Sequence, residues 1–303
     1  MNYAFFKFKF RTAVHFGGGT LNSTNSCFLA DTLFSALYLE AMKLNLHEKL
    51  YSLVSGSQLC FSDSFPYMGG VYYLPKPMKN IENSKQGDSK EKKLLRKIKY
   101  LPCDKIDDFL KSRLDLMALA HKFCDFSEDT KVTIRQEEAI QGPYRVGVCT
   151  FLDNCGLYVI VGYENQEAFE LAKVLFEALQ YSGIGGKRTS GYGKFAVEID
   201  TKSESVKKLI ERNSDMYMTL AVSLPEAEEL SSAIAGSSYL LIKRSGFVMS
   251  DNYAREQRRK QDRFVFAAGS CFTSRFKGGI LNVAGDDGLH PVYRYAVPMF
   301  IGV

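Results

Sequence analysis

No apolar run in this 303-residue sequence approaches the roughly 20 residues that a membrane-spanning helix requires. The amino terminus, MNYAFFKFKFR, interleaves Lys7 and Lys9 with aromatics instead of presenting a signal-peptide core, so a cytoplasmic protein with no membrane contact is expected. The seven cysteines, at 27, 60, 103, 124, 149, 155 and 271, are odd in number, scattered, and free of any Cys-x-x-Cys pair. That spacing indicates neither a disulfide framework nor a four-ligand zinc site. His121 and Cys124 would share a face if their segment were helical, but no second ligand pair stands near them, and no metal or cofactor is expected. A Walker A sequence is missing too, because Gly186-Lys187 is followed by Arg188 and no glycine stands five places before Gly186.

What is present is a long, ordinary globular composition, 46% apolar and 24% charged, in a chain large enough for two domains. The formal net charge is only +5, yet it is unevenly spread. Residues Lys85–Lys99 carry a net +5, Tyr253–Arg263 a net +3 and the stretch Ser182–Phe195 a net +3, which leaves −6 for everything else. Basic character gathered into three segments is the footprint of a polyanion site, or of three solvated loops.

The stretch SGIGGKRTSGYGKF (Ser182–Phe195) holds five glycines, Lys187, Arg188 and Lys194, the hydroxyls of Ser182, Thr189 and Ser190, and no acid. Glycine lets main chain approach a ligand closely, and cations with hydroxyls suit phosphate oxygens. Phe169, Ala172, Leu175, Phe176 and Leu179 repeat at helical spacing before it, and KFAVEID alternates like a strand after it. A dinucleotide fingerprint on Gly191, Gly193 and Ala196 is excluded by that order, since it must leave a strand and open a helix. A plain helix-to-strand connector is the other reading.

Along the chain, Tyr3–Arg11 alternates as a strand, with Phe6, Phe8 and Phe10 on one face. Phe5, Lys7, Lys9 and Arg11 on the other face form either a base-stacking surface or a lysine-protected edge. His15, beside Gly17–Gly19, reads as a structural or RNA-contacting residue, or as the general base of a metal-free RNA-cleaving site that lacks an identifiable second acid. Asp31 reads as the N-cap of a helix over Leu33, Phe34, Leu37, Ala41 and Leu44, with a catalytic carboxylate as the alternative. Strands follow at 59–65 and 71–74, then a mobile insertion at 79–93, a helix over about Ile106–Phe123, and a hairpin over 132–148 flanked by Arg135 and Arg145. An apolar strand at Leu157–Gly162 and a helix over 164–181 lead into the glycine loop.

Without insertions this order is strand, helix, strand, strand, helix, strand, the split βαβ unit. From about Met216 a looser version begins: an alternating strand Met218–Leu224, a helix over Pro225–Ala235, then strands separated by the basic loop at 253–263. The expectation is therefore an α+β chain of two tandem ferredoxin-like (RRM-like) domains, 1–212 and 213–303, the second degenerate, with a basic insertion and a projecting arm in the first.

Gly183-Ile184-Gly185, five residues, then Gly191-Tyr192-Gly193 resembles the glycine-rich loop of the RAMP superfamily of CRISPR proteins. HFGGGTL, ADTLFSAL, LPKP at 74–77, IRQEEAIQGPYRVG, GLYVIV, AGSCF at 268–272 and HPVYRYAVPMFIGV narrow the resemblance. In order and spread they resemble the fourth-Csm-subunit family of type III-A CRISPR effector complexes over nearly the whole chain. That resemblance implies a non-catalytic subunit in antiviral defence that grips the 5′ repeat-derived tag of the guide RNA. It would also join a large polymerase-like signalling subunit to the backbone filament, and meet target RNA only indirectly. Carried onto this sequence, the tag-binding loop is Gly183, Gly185, Gly186, Lys187, Arg188, Thr189, Ser190, Gly191, Tyr192, Gly193 and Lys194, with His15 beside it. The thumb is about Arg135–Arg145, and Tyr144 or Tyr192 would stack bases. The basic loop at Arg255–Arg263, with Arg255, Arg258 and Arg259, is expected as a second contact, to RNA or to a partner, that no motif of the family assigns. The runner-up is a metal-independent repeat-RNA endonuclease of the same superfamily that uses His15.

Overall fold

The computed structural model describes residues 1–79, 89–114, 119, 121–132, 142–250, 252–286 and 288–303. Its first elements are β1 (Asn2–Phe10), β2 (Phe16–Gly17), β3 (Thr24–Asn25), α1 (Ala30–Lys43), α2 (His47–Ser55), β4 (Leu59–Phe61), β5 (Phe65–Met68) and β6 (Val71–Pro75). Then follow α3 (Ser89–Lys97), β7 (Tyr100–Pro102), α4 (Ile106–Leu110), β8 (Cys124–Lys131), β9 (Tyr144–Phe151), β10 (Cys155–Tyr163), α5 (Gln166–Ser182), β11 (Phe195–Asp200) and α6 (Glu204–Glu211). The chain ends with β12 (Tyr217–Thr219), α7 (Leu230–Ile234), β13 (Leu241–Arg244), β14 (Arg263–Phe266), β15 (Cys271–Phe272), β16 (Gly279–Asn282), β17 (Tyr293–Ala296) and β18 (Phe300–Gly302).

The main sheet runs β11-β1-β10-β5-β6-β7, with β4 also pairing β10, and its pairings are antiparallel. The alternation in β1 buries Phe6 and Phe8 against α5, where their rings lie 4.3 and 5.8 Å from Phe176. β1 is interior to the sheet, so the lysines on its second face protect no edge. That face is not a free stacking platform either. Phe5 is fully buried against Tyr72 and Tyr158, and Lys7 Nζ sits 4.3 Å from the centre of the Tyr67 ring.

Three other expectations change. The helix over 106–123 stops at Leu110, where Ser112 takes a left-handed φ of 54°, and Cys124 opens a strand, which separates it from any helical face with His121. Residues 80–88 of the expected insertion lie outside the described residues, and a helix, Ser89–Lys97, begins in its last residues and runs past its end. The alternating run at 218–224 is a strand only at Tyr217–Thr219; beyond it, Leu220 donates its N–H to the Met299 carbonyl and Val222 donates to Asp63. The described residues after 212 form one three-stranded and two two-stranded sheets, not a second copy of the main sheet.

Both parts of the chain share one apolar core, which includes Phe61, Val206, Leu220 and Tyr295. Polar clips fix their register. The buried Tyr295 hydroxyl accepts from Phe61 N–H at 2.8 Å and donates to the Phe61 carbonyl at 3.1 Å. Asp63 Oδ1 accepts from the N–H of Ala30 at 2.7 Å and of Val222 at 3.0 Å, so a residue 33 positions away caps the first turn of α1. Asp31, expected as that cap, is 5% exposed and instead faces two arginines of the carboxy-terminal part. Arg244 binds it through Nε and Nη2, each at 2.8 Å, and Arg294 approaches at 3.4 Å.

Removing the anion from a buried, hydrogen-bonded pair leaves an uncompensated charge. Asp31→Asn is expected to lower unfolding free energy by roughly 3–5 kcal/mol, read from a denaturant midpoint. Burial raises the Asp63 carboxyl to about 7, against the pull of its two backbone N–H donors. A carboxyl that holds its proton more tightly when folded loses stability as pH rises from its unfolded value. The wild type should therefore lose stability relative to Asp63→Asn between about pH 4 and pH 7, measured as unfolding free energy against pH.

Candidate nucleic-acid interface

Helix α5 is capped by Asn165, whose side chain accepts from Ala168 N–H at 2.9 Å, and it ends at Gly183 with a φ of 77°. From there the loop folds back so that Ile184 N–H donates to the Gly193 carbonyl at 3.0 Å. Lys187 adopts a left-handed φ of 56°, and Arg188–Ser190 form a single 3-10 turn closed by Gly191. The loop also docks on the turn after β1: Gly186 N–H donates to the His15 carbonyl at 2.8 Å, and Gly193 N–H to the Ala13 carbonyl at 2.9 Å.

The glycines answer chiefly to this packing. A Cβ on Gly193 would lie 2.0 Å from the Ile184 carbonyl oxygen, on Gly185 2.7 Å from the His15 carbonyl oxygen, and on Gly186 2.8 Å from the His15 ring. Only Gly191, of the five, faces open space. Seven N–H groups of the segment, those of Gly183, Ile184, Gly186, Ser190, Gly191, Gly193 and Lys194, are already hydrogen-bonded within the protein. The loop residues that line the cleft include Lys187, Arg188 and Thr189, which bring two cations and a hydroxyl to it.

His15 is 7% exposed, and its Nδ1–H donates to the Gly147 carbonyl at 2.7 Å, since a carbonyl only accepts. It braces the loop against the β8–β9 hairpin. Gly147 itself admits no side chain, because a Cβ there would lie 2.4 Å from the Asn22 carbonyl oxygen. Tyr192 performs the same bracing from the other side. It is 6% exposed, clusters with Val146 and Val148, and donates its hydroxyl to Asp129. Burial and the Asp129 carboxylate hold that hydroxyl above its usual pKa, and Lys131 Nζ lies 4.9 Å from the ring centre. The free ring expected at Tyr192 is thus committed to the fold. Tyr144 carries Lys187 Nζ at 4.8 Å from its ring centre.

These elements enclose a cleft of about 940 Å³. His15, Gly185, Gly186, Lys187, Arg188 and Thr189 line one side, Phe28, Leu29, Thr32, Ser35 and Leu39 the helical floor, and Ile242, Lys243, Arg244 and Met249 the carboxy-terminal wall. Lys99, Lys187, Arg188, Lys243 and Arg244 line it, and no Asp or Glu does. Arg244 is held by Asp31 and Lys243 by Asp262 at 2.7 Å, which leaves Lys99, Lys187 and Arg188 as its cations without an acidic partner among the described residues. Phe126 on β8 completes the mouth. Lys243, Met249 and Phe126 escaped the sequence reading, whereas Lys99 lay in a basic stretch already singled out.

Other expected site residues fall elsewhere. Lys194 turns its amine to the Tyr181 carbonyl, and Ser190 and Gly191 are exposed beyond the cleft lining. Arg145 lies on β9, paired with Glu128 at 3.2 Å, and Arg135 lies outside the described residues. Arg255, Arg258 and Arg259 are exposed but not in the cleft, with the Arg259 guanidinium 5.6 Å from the Phe247 ring centre.

A family model described as the CRISPR Csm4 C-terminal domain matches residues 212–303. Two relatives, each described as CRISPR system Cms protein Csm4, match end to end. The one from Mycobacterium tuberculosis (strain CDC 1551 / Oshkosh) is 39% identical over 100% of this chain and 98% of its own. The one from Streptococcus thermophilus is 35% identical over 99% and 98%. The fold is similar to Csm4-containing crystal structures, including that of a Csm3-Csm4 subcomplex in the type III-A CRISPR-Cas interference complex. There the TM-score is 0.69 at 18% identity, covering 100% of this chain and 99% of that one. A Csm1-Csm4 cassette in complex with AMPPNP gives a TM-score of 0.61 at 20% identity, covering 99% and 97%. Fold and relatives together define a subunit of a CRISPR effector ribonucleoprotein, of mixed α/β architecture. The chain belongs to the Csm4 family.

Alanine at Gly193 must displace main chain, whereas at Gly191 it meets only the strain of a φ of 92°. Gly191→Ala should lower stability by about 1–2 kcal/mol, and Gly193→Ala by clearly more, with faster amide exchange in the loop as the accompanying readout.

Proposed function

We propose that the cleft holds the 5′ repeat-derived tag of a guide RNA, and that the chain serves as a non-catalytic, scaffolding subunit of a type III-A complex. The observation that carries this reading is the lining of the cleft: Lys99, Lys187 and Arg188 without acidic partners among the described residues, the hydroxyls of Thr24, Thr32, Ser35 and Thr189, and no Asp or Glu among the lining residues. Cations and hydroxyls read phosphates and 2′-hydroxyls without regard to base, as a tag common to many guides requires. Guide-to-target pairing then carries sequence choice, so target RNA is met only through the guide.

The supporting platform is a split βαβ unit. Strands β1, β5, β10 and β11 with helices α1 and α5 lie in the order β11-β1-β10-β5, that of a ferredoxin-like domain, with the boundary to the second unit near residue 212. The β8–β9 hairpin is the stem of the thumb. In this reading one surface meets the large signalling subunit and another the backbone filament, as the Csm1 and Csm3 assemblies of similar chains suggest, in the cytoplasm. The endonuclease alternative is disfavoured by His15, whose ring is buried and whose Nδ1–H is bound to the Gly147 carbonyl.

Lys187→Glu combined with Arg188→Glu is expected to weaken binding of tag-sequence RNA and to lower the slope of log K against log salt by about two, since two phosphate contacts are lost. Affinity unchanged at several salt concentrations would remove the cleft from the account. Repeat RNA incubated with the protein in a chelator should remain intact, and cleavage abolished by His15→Ala would establish the nuclease instead.

A further inference from the structure

One side chain of the cleft is left unexplained by phosphate binding. Phe126 projects from β8, 60% exposed, at a register position opposite the fully buried Cys149. Among the described residues no ring packs on it and no cation covers it, in contrast to Tyr144 and Tyr192. Met249, contributed by the carboxy-terminal part, lines the same cleft and is 66% exposed. Isolated exposed apolar residues are common on protein surfaces, but two that line the same cleft as Lys99, Lys187 and Arg188 are not scattered.

The geometry points to a nucleobase-stacking subsite in which the face of one unpaired base of single-stranded RNA packs on Phe126, with Met249 supplying further apolar contact. This rests on the reading of the cleft as an RNA site, and adds to it the residues that bind a base instead of the backbone. Single-stranded nucleic acid is held by cations that follow the phosphates and by aromatic faces that accept bases. Among the described residues, the cleft's unpaired cations are Lys187 and Arg188 in the glycine loop, and Lys99, and Phe126 is an exposed aromatic face lining the same cleft. A protein partner would find the same ring, but Lys99, Lys187 and Arg188, without acidic partners among the described residues, favour an anionic occupant.

The test uses the full chain and a fluorescein-labelled single-stranded RNA of about 10 nucleotides, within the range one such groove spans. Phe126→Ala is expected to weaken binding about 5- to 150-fold, the 1–3 kcal/mol of one stacked base, while leaving the salt slope at its wild-type value. The sequence contains no tryptophan, so Phe126→Trp provides a single emitter. That variant should bind at least as tightly as wild type, and its emission should be quenched by RNA but not by an equally charged abasic ribose-phosphate oligomer. Undiminished binding by Phe126→Ala, or quenching by the abasic oligomer equal to that by RNA, would overturn the stacking subsite. If Lys187→Glu with Arg188→Glu also bound RNA undiminished, the cleft reading itself would fall, and the subsite with it; a loss in that variant alone would remove only the subsite.

Discussion

The position of the cleft depends on one buried carboxylate. Asp31 sits in the first turn of α1, 5% exposed, and takes both donors of a guanidinium that arrives from β13. Because Lys243 and Ile242 are neighbours of that guanidinium in sequence, the pair sets how far the carboxy-terminal wall stands from the helical floor. A buried ion pair is weak evidence for net stability, since desolvation offsets much of the attraction. Its directional requirement is a better account of its presence here. Greasy contact alone would let the two parts slide, whereas a bidentate arginine accepts one orientation.

The glycine loop shows a similar division of labour between sterics and charge. Four of its five glycines are needed because other main chain or the His15 ring occupies the space of a side chain. Most of its N–H groups are bound within the protein. The loop is therefore a rigid bracket, tied to the His15 turn and, through Tyr192, to the hairpin, and it holds Lys187, Arg188 and Thr189 at the cleft. A rigid bracket lowers the entropy lost when a flexible, charged strand is bound.

Local features of this architecture were legible in the sequence, and remote ones were not. The helix before the loop and the strand after it follow from spacing, so Gln166–Ser182 and Phe195–Asp200 formed where periodicity put them. Asp31 was misread because its partners stand 213 and 263 residues away, while a carboxylate opening a helix has an obvious local use. Phe126 was missed for a related reason. The apolar spacing of Phe109, Leu110 and Leu114 suggested one helix reaching residue 123, whereas the chain leaves helical geometry at Ser112 and enters β8 at Cys124. Tyr192 misled in the opposite direction, since an aromatic in a cationic loop suggests a ligand contact and only the fold reveals that Val146, Val148 and Asp129 already claim it.

Charge and shape together give the cleft different powers. Cations such as Lys99, Lys187 and Arg188 attract any polyanion, and their effect fades with added salt, so alone they would hold a strand loosely and in no fixed register. Register requires something that does not slide, and both candidates in this structure are steric. One is the bracket whose glycines leave no room for movement at Gly185, Gly186 and Gly193. The other is an exposed ring at the mouth, which favours a base plane over a gap between bases. A site built this way would tolerate different sequences while resisting displacement along the strand, which is what the proposed hold on the constant end of a variable guide requires.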